Sequence, residues 1–373
     1  HDIREIAPAG LLFPSRVWEN LASSVRFRIS DSTWINRFLF KIFMPIAYQY
    51  ADKEDRKEPI GLGLKFLRWL GEFAIFQPLR DKLGLTRARN ALTAGAMLSP
   101  DVVRFFRAIG VELRQLYAST ETFGTIHLPG DVRFETVGVL VPGVELKIAE
   151  DQEILLRTEA RFAGYFEAPE KTGEAIDEEG WYYTGDAGYM DEESGHLIYL
   201  DRLKDMIELA NGHSFSPQYI EGRLKFSPYI QDVMTIGGFD MEYVTAIVII
   251  DFDNLARWAE KNGLSFTTFV DLSQKPEVYD LIEEIIAEVN RSLPEWQRIR
   301  KFVILHKQFD ADEAELTRTR KLRRRTLQKK YGEILEAMYG DKESVLVRAD
   351  VKYRDGRTGV IETALQVRTI TKS

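Results

Sequence analysis

Ser99-Pro100-Asp101-Val102-Val103-Arg104-Phe105-Phe106-Arg107-Ala108-Ile109-Gly110-Val111-Glu112-Leu113-Arg114-Gln115-Leu116-Tyr117-Ala118-Ser119-Thr120-Glu121 is the stretch on which the fold turns. Its first three residues read as a helix cap, a proline at the first helical position and an acidic first turn. Val102, Phe105, Phe106 and Ile109 then share one helical face, and Gly110 ends the helix. Residues 111–117 read as a strand running straight into Ser119-Thr120-Glu121. A helix feeding a strand that ends in hydroxyls and a carboxylate is the grammar of an α/β sheet. In such sheets ligands gather beyond the carboxyl ends of strands.

The texture changes on either side of this stretch. Residues 1–90 read as mostly helical, with Trp34, Phe38, Ile42 and Phe43, and then Leu67, Leu70 and Phe73, at helical spacing. Such stripes are expected to pack into a core, with peripheral membrane contact left open. Residues 131–203 read as strand-rich, with turns at Pro142-Gly143 and Glu179-Gly180. After Arg202, strands at 233–236, 243–250 and 302–305 and a helix at 276–293 suggest a small α+β domain. From Ser344 onward Val345, Val347, Ala349, Val351 and Tyr353 alternate with polar residues. Asp355-Gly356 supplies a turn and Ile361, Leu365 and Val367 resume the alternation, which is a hairpin signature. The divisions expected are 1–203, 204–340 and 341–373.

Composition narrows the chemistry. With 45% hydrophobic and 29% charged residues over 373 positions, the chain has the make-up of an ordinary globular protein of two domains. A net charge of −8 argues against nucleic acid as a dedicated partner. The absence of cysteine excludes disulfides, thiolate nucleophiles and cysteine-bound metals, and is compatible with a cytoplasmic location. The five histidines show no pair at metal-ligand spacing. The richest apolar segment, 61–79, is interrupted by Lys65, Arg68 and Glu72, so no membrane span is expected. Gly61-Leu62-Gly63 fails the dinucleotide fingerprint, and neither a P-loop nor a nucleophile elbow occurs.

Four polar clusters remain. Tyr117 to Glu121 offers an aromatic plane, two hydroxyls and a carboxylate, and by itself reads first as a polar turn. Trp181-Tyr182-Tyr183-Thr184-Gly185-Asp186 presents a carboxylate after a tight turn. Asp201-Arg202-Leu203-Lys204-Asp205 reads by itself as a charged connector. Leu316-Thr317-Arg318-Thr319-Arg320-Lys321-Leu322-Arg323-Arg324 opens a run, 318–330, in which eight of thirteen residues are basic. It could serve as a solvated helix start, a nucleic-acid patch or a site for an anionic nucleotide.

Taken in order, these clusters resemble the core motifs of the adenylate-forming superfamily, which includes the AMP-forming acyl-CoA synthetases. Thr93-Ala94-Gly95-Ala96-Met97-Leu98-Ser99-Pro100 resembles the loop lining the adenine pocket, and Tyr117 to Glu121 the Tyr-Gly-x-Thr-Glu motif. Gly164-Tyr165, Pro169-Glu170-Lys171-Thr172, Gly180-Trp181 and Thr184-Gly185-Asp186 resemble the most recognisable stretch. Asp201 to Asp205 resembles the hinge, Asn211-Gly212-His213 to Pro217 the loop after it, and Leu316 to Arg324 the terminal lysine motif. Pro14-Ser15-Arg16-Val17-Trp18-Glu19 points towards the long-chain branch.

The resemblance implies an α/β chain: the carboxy-terminal part of the large AMP-binding domain, with mixed sheets and a small β-barrel-like region. A small mobile α+β domain and a β-hairpin tail would follow. It implies ATP and CoA as co-substrates, Mg2+ as cofactor and a fatty acid as substrate, joined through acyl-AMP. Gly95, Ala96, Tyr117, Thr120, Asp186 and Arg202 would bind nucleotide, with Tyr117 on adenine, Thr120 at the α-phosphate and Asp186 on the ribose. Glu121 would hold Mg2+, Gly212 would border the CoA channel and Lys204 would be the hinge. Lys321 would be catalytic, bridging carboxylate and α-phosphate as negative charge builds. Ala118 stands where the family has glycine, His213 where it often has glutamate, and Arg318 and Arg320 replace a proline and an apolar residue. The Ser/Thr/Gly-rich loop that grips the β- and γ-phosphates is not among these residues, so the chain is expected to be an amino-terminally truncated ligase with little activity alone. An acyl-AMP ligase that does not use CoA, and a non-catalytic acyl- or nucleotide-binding module, are the alternatives.

Overall fold

A computed structural model of the chain describes residues 2–30, 32–95, 98–310, 313–316, 322–352 and 358–371. It separates into two compact units, 1–205 and 206–373.

The first unit is built on two sheets. One is five-stranded and mixed: Gly10–Pro14, Asn90–Ala94 and Leu113–Ala118 run parallel, then Phe123–Ile126 and Val139–Leu140 continue antiparallel. The helix expected after Ser99 is Pro100–Ala108. Its apolar face behaves as the spacing requires, with Val102, Phe105, Phe106 and Ile109 all buried. Ser99 occupies the cap position, yet its hydroxyl makes no capping bond. Across that helix lies Ser15–Ser30, whose Trp18 is fully buried. The indole meets Phe106 edge-on at 5.0 Å and donates Nε1–H to the Leu92 carbonyl at 3.2 Å. A buried indole needs such a partner, because leaving its N–H unpaired would cost about 1–3 kcal/mol of what the packing contributes.

The second sheet is antiparallel: Glu145–Ile148, Glu153–Arg157, Tyr182–Met190 and Leu197–Arg202, in that order. The expected turn glycines Gly143 and Gly180 both hold positive φ, 83° and 87°. The barrel-like region anticipated here is an open four-stranded sheet: among the described residues its first strand, Glu145–Ile148, does not pair with its last, Leu197–Arg202.

The helical front departs from expectation. Trp34–Asp55 and Leu62–Gly71 are helices as predicted. The aromatic stripes, however, face outward. Trp34 is 70% exposed, Phe38 56% and Phe73 60%, and Leu67 and Leu70 are exposed as well. The longer helix instead buries Met44, Ala47 and Ala51, so a methionine and two alanines make its inward face. Amphipathic spacing fixed the helices correctly but could not say which side meets the core.

The second unit is a four-stranded sheet, Ile230–Ile236, Val244–Ile250, Ile299–Ile304 and Arg368–Thr369. Val244–Ile250 is buried at every position, as a central strand covered on both faces must be. One face packs under Pro276–Arg291, the other under Gly332–Tyr339, giving separate clusters above and below. The predicted hairpin is present as Ser344–Lys352 against Thr358–Gln366. Its Asp355-Gly356 turn lies outside the described residues. Val345 and Leu365 enter the second cluster, and Arg368–Thr369 pairs antiparallel with Lys301 and Phe302, so the tail completes the sheet.

Replacing Phe106 by alanine should therefore cost about 3–5 kcal/mol, read by urea unfolding of the chain. Trp69→Ala, on the exposed stripe, should change the same quantity by less than about 0.5 kcal/mol.

Candidate nucleotide-binding site

Three of the strands described above, one from the mixed sheet and two from the antiparallel one, bring their residues together around a small cavity of about 90 Å³. Gly95, Gln115 and Tyr117 come from the mixed sheet and its loop; Asp186, Tyr199 and Arg202 come from the antiparallel one. Four sequence-selected residues, Gly95, Tyr117, Asp186 and Arg202, thus meet in one place. Ala96 lies outside the described residues.

Local backbone geometry explains the convergence. Asp186 and Arg202 are register partners on adjacent antiparallel strands, so their side chains stand on one face as a cross-strand pair. Arg202 Nε lies 3.1 Å from Asp186 Oδ1. Gly185, at φ 68°, kinks the strand just before Asp186; its N–H donates to Glu153 at 2.7 Å and the Thr184 hydroxyl donates to the Ile154 carbonyl at 2.7 Å. These bonds hold the kink that aims Asp186 inward. Across the cavity the Tyr117 hydroxyl donates to Asp186 Oδ2 at 2.7 Å. Gly124 makes room for that ring, since a Cβ there would stand 2.9 Å from Tyr117 Cδ1.

The carboxylate is 5% exposed, and Oδ1 has no aligned hydrogen-bond donor. Burial raises the Asp186 pKa above the usual aspartate value, against the Tyr117 hydrogen bond and the Arg202 charge. A buried carboxylate oxygen awaiting a donor suits a vicinal diol, which supplies two hydroxyls to one carboxylate. Burial, and then Asp186 itself, drive the Tyr117 hydroxyl well above its ordinary range, so it stays protonated and donates.

The remaining candidates sit at the strand end. Thr120 is exposed. Glu121 is half-buried and accepts from the Tyr165 hydroxyl at 3.1 Å. Burial alone would raise its pKa, but hydrogen bonds from Ser119, its own backbone and Tyr165, with the charge of Arg202, lower it on balance. Among the described residues no group of three or more His, Asp or Glu side chains could hold a metal. One ionised carboxylate fits Mg2+ only as a single protein ligand, with phosphate and water oxygens filling its octahedron.

Lys204 is exposed in the short turn Leu203–Asp205, at the boundary of the two units. Gly212, in the second unit, holds φ 80° in the turn between Ile207–Glu208 and Ser214–Phe215. Backbone conformation, rather than a crowded neighbour, is what demands glycine there, because a Cβ would meet open space. Lys321 lies outside the described residues. Its flanks are well anchored: Leu316 and Leu322 form a β-bridge, and Arg324 grips Glu221 with 2.7 Å contacts to both carboxylate oxygens. Glu315, fully buried, takes the Tyr331 hydroxyl at 2.6 Å.

Sequence reasoning missed Gln115 and Tyr199. Gln115 accepts the Leu98 N–H at 3.1 Å and so ties the glycine loop to the strand. It lies two residues before Tyr117, and period-2 spacing could have put it on the same face. Tyr199 stands 5.7 Å from the Tyr117 ring, and no motif marks it.

Comparison with known proteins identifies the family. The AMP-binding enzyme family matches residues 14–166, and the AMP-binding enzyme C-terminal domain matches residues 204–343. The fadD11 protein of Mycobacterium tuberculosis is 33% identical over 327 residues, 87% of this chain and 57% of its own. Long-chain-fatty-acid–CoA ligase FadD15 of Mycobacterium bovis is 31% identical, over 81% of this chain and 50% of its own. Long-chain-fatty-acid–CoA ligase ACSBG1 of Homo sapiens is 30% identical, over 91% and 50%. The chain thus spans about half the length of the curated relatives it matches. Among solved structures, the adenylation domain of a carboxylate reductase from Mycobacterium chelonae superposes with a TM-score of 0.59 at 25% identity, over 91% of this chain and 47% of that one. With its motifs in order and its fold shared, the chain belongs to the adenylate-forming AMP-binding enzymes, among relatives that are fatty-acid–CoA ligases.

Proposed function

We propose that the protein activates a long-chain fatty acid with ATP through acyl-AMP and transfers the acyl group to CoA, releasing AMP and pyrophosphate. The observation that carries this is the buried Asp186 carboxylate, held by Tyr117 and flanked by Arg202, with one oxygen still lacking a donor. In this reading the ribose diol completes Asp186, the Tyr117 ring lies against adenine, and Gly95 and Ala96 form the rim of the base pocket. Thr120 contacts the α-phosphate. Glu121 is the protein ligand to Mg2+, which neutralises phosphate charge when bound.

Lys321 supplies a mobile ammonium to the substrate carboxylate and α-phosphate as charge accumulates during adenylation. Lys204 is the hinge, and Gly212 borders the pantetheine path in the second half-reaction. The relatives named for long-chain fatty acids support the substrate class. An acyl-AMP ligase without CoA is separated from this reading by omitting CoA from the assay. The outward aromatic stripe of Trp34, Phe38, Phe66, Trp69 and Phe73, with Lys41 and Lys65 exposed on the same helices, supports peripheral contact with an anionic membrane surface. Among the described residues no helix is long and apolar enough to cross a membrane.

Four outcomes are expected. AMP should bind the protein in calorimetry, and a failure to bind would remove the nucleotide reading of the pocket. Asp186→Asn should weaken AMP at least about tenfold yet unfold at higher denaturant than the parent at neutral pH. The sign follows from the raised pKa: an acid bound more tightly in the folded state stabilises it below pH 3.8, and that contribution is lost as pH rises through the folded value. The stability advantage of the variant should accordingly vanish in acid. In the complete protein, Lys321→Gln should slow acyl-adenylate formation by about a hundredfold; an undiminished rate would remove Lys321 from the mechanism. Finally, Trp69→Ala with Phe73→Ala should lower sedimentation with phosphatidylserine vesicles severalfold.

A further inference from the structure

Behind the pocket, a chain of buried side chains joins the two sheets whose edges form its walls. Its hydrogen-bond polarity can be read from one end. The Gln115 backbone N–H can only donate, and it points at His127 Nδ1 from 3.0 Å. His127 must then be neutral, with its proton on Nε2, which faces Thr136 Oγ1 at 2.8 Å. The hydroxyl, having accepted there, passes its own proton to His196 Nδ1 at 2.9 Å, a closer acceptor than the Arg133 carbonyl at 3.4 Å. His196 in turn donates from Nε2 to Asp131 at 3.2 Å, and Asp131 pairs with Lys57 at 3.2 Å. Both imidazoles are 0% exposed.

The endpoints of this chain matter more than its length. His127 follows Phe123–Ile126, the strand paired with the one that carries Gln115 and Tyr117. His196 opens the strand Leu197–Arg202, which carries Tyr199 and Arg202 and pairs with the strand of Asp186. Gln115 also uses its side chain, donating Nε2–H to the Thr136 carbonyl at 3.1 Å while holding the Leu98 N–H. Thr136 is therefore bonded at both its hydroxyl and its carbonyl, midway between the two pocket walls. Apolar residues could fill this volume, but they would impose no direction. A buried polar chain in which both imidazoles and the linking hydroxyl are hydrogen-bonded is costly to assemble wrongly and so specifies one arrangement.

We propose that His127, Thr136 and His196 are positioning residues that set the separation of the two pocket walls and so keep Tyr117 within hydrogen-bond reach of Asp186. This rests on the adenine-nucleotide reading of the pocket. Burial, then the neighbouring charges of His196, Arg107 and Arg114 against the opposing Asp131, bring His127 down to about 3. The neutral ring that the chain requires is thus kept at every pH where the protein would work. A base held below its ordinary 6.5 stabilises the fold fully above that value and loses the contribution as pH falls towards about 3.

The test compares Thr136→Val, which removes only the linking hydroxyl, with Thr136→Ser, which keeps it, in AMP calorimetry and in ligand-free crystal structures. The valine variant should bind AMP about tenfold more weakly, with Tyr117 Oη and Asp186 Oδ2 separated beyond about 3.5 Å. The serine variant should stay within about twofold of the parent. A valine variant with parental affinity and an intact Tyr117–Asp186 bond overturns the proposal. If the parent itself binds no AMP, the nucleotide reading fails, while the ligand-free separation still decides the role of the chain. Should the valine variant not fold, His196→Phe, which keeps a ring and removes both its bonds, makes the same comparison.

Discussion

Taking a carboxylate out of water is among the most expensive things a small fold can do, and the candidate site is organised around doing it at Asp186. Asp186 is almost wholly buried. Its charge is tolerated because a tyrosine hydroxyl arrives from the opposite sheet and an arginine from the adjacent strand. Each donor needs a backbone that delivers it: a kink at Gly185, a vacancy at Gly124 and a cross-strand register that pairs 186 with 202. The balance is deliberately incomplete. One carboxylate oxygen remains without an aligned donor, and a binding site is what such a deficit becomes when a ligand can reach it.

The second unit solves the same problem elsewhere. Glu221 and Glu315 are both buried, one gripped by Arg324 and the backbone and hydroxyl of Thr235, the other by Tyr331 and the Asp310 N–H. Glu221 pairs with Arg324 and Glu315 with Lys330, both cations of the basic run 318–330. A run of like charges would ordinarily splay into solvent; here its flanks are held by acids whose own desolvation requires those partners.

Sequence alone revealed a good share of this. The helix of Val102, Phe105 and Phe106 was legible because its periodicity, its proline and its terminal glycine all agree. The buried strands of the second unit were legible because unbroken β-branched runs have few other uses. Tyr117, Asp186 and Arg202 were found because ordered motifs reported them, although no local signal said that they touch across two sheets. What stayed hidden depends on facing: the stripe at Trp34 and Phe38 has the same spacing whether it meets a core or solvent. The relay of His127, Thr136 and His196 was invisible for a different reason. Its members are up to about seventy residues apart, and single histidines carry no periodicity.

The edge pairing of Arg368–Thr369 with Lys301 and Phe302 has a consequence during synthesis. Strand Ile299–Ile304 gains its second neighbour only after more than sixty further residues have left the ribosome. Until then a nascent chain presents an open row of amides beside a largely apolar strand, which is a template for mispairing with another molecule. Closure by so distant a segment adds non-local pairing to the small unit, and pairing across such a sequence separation slows folding.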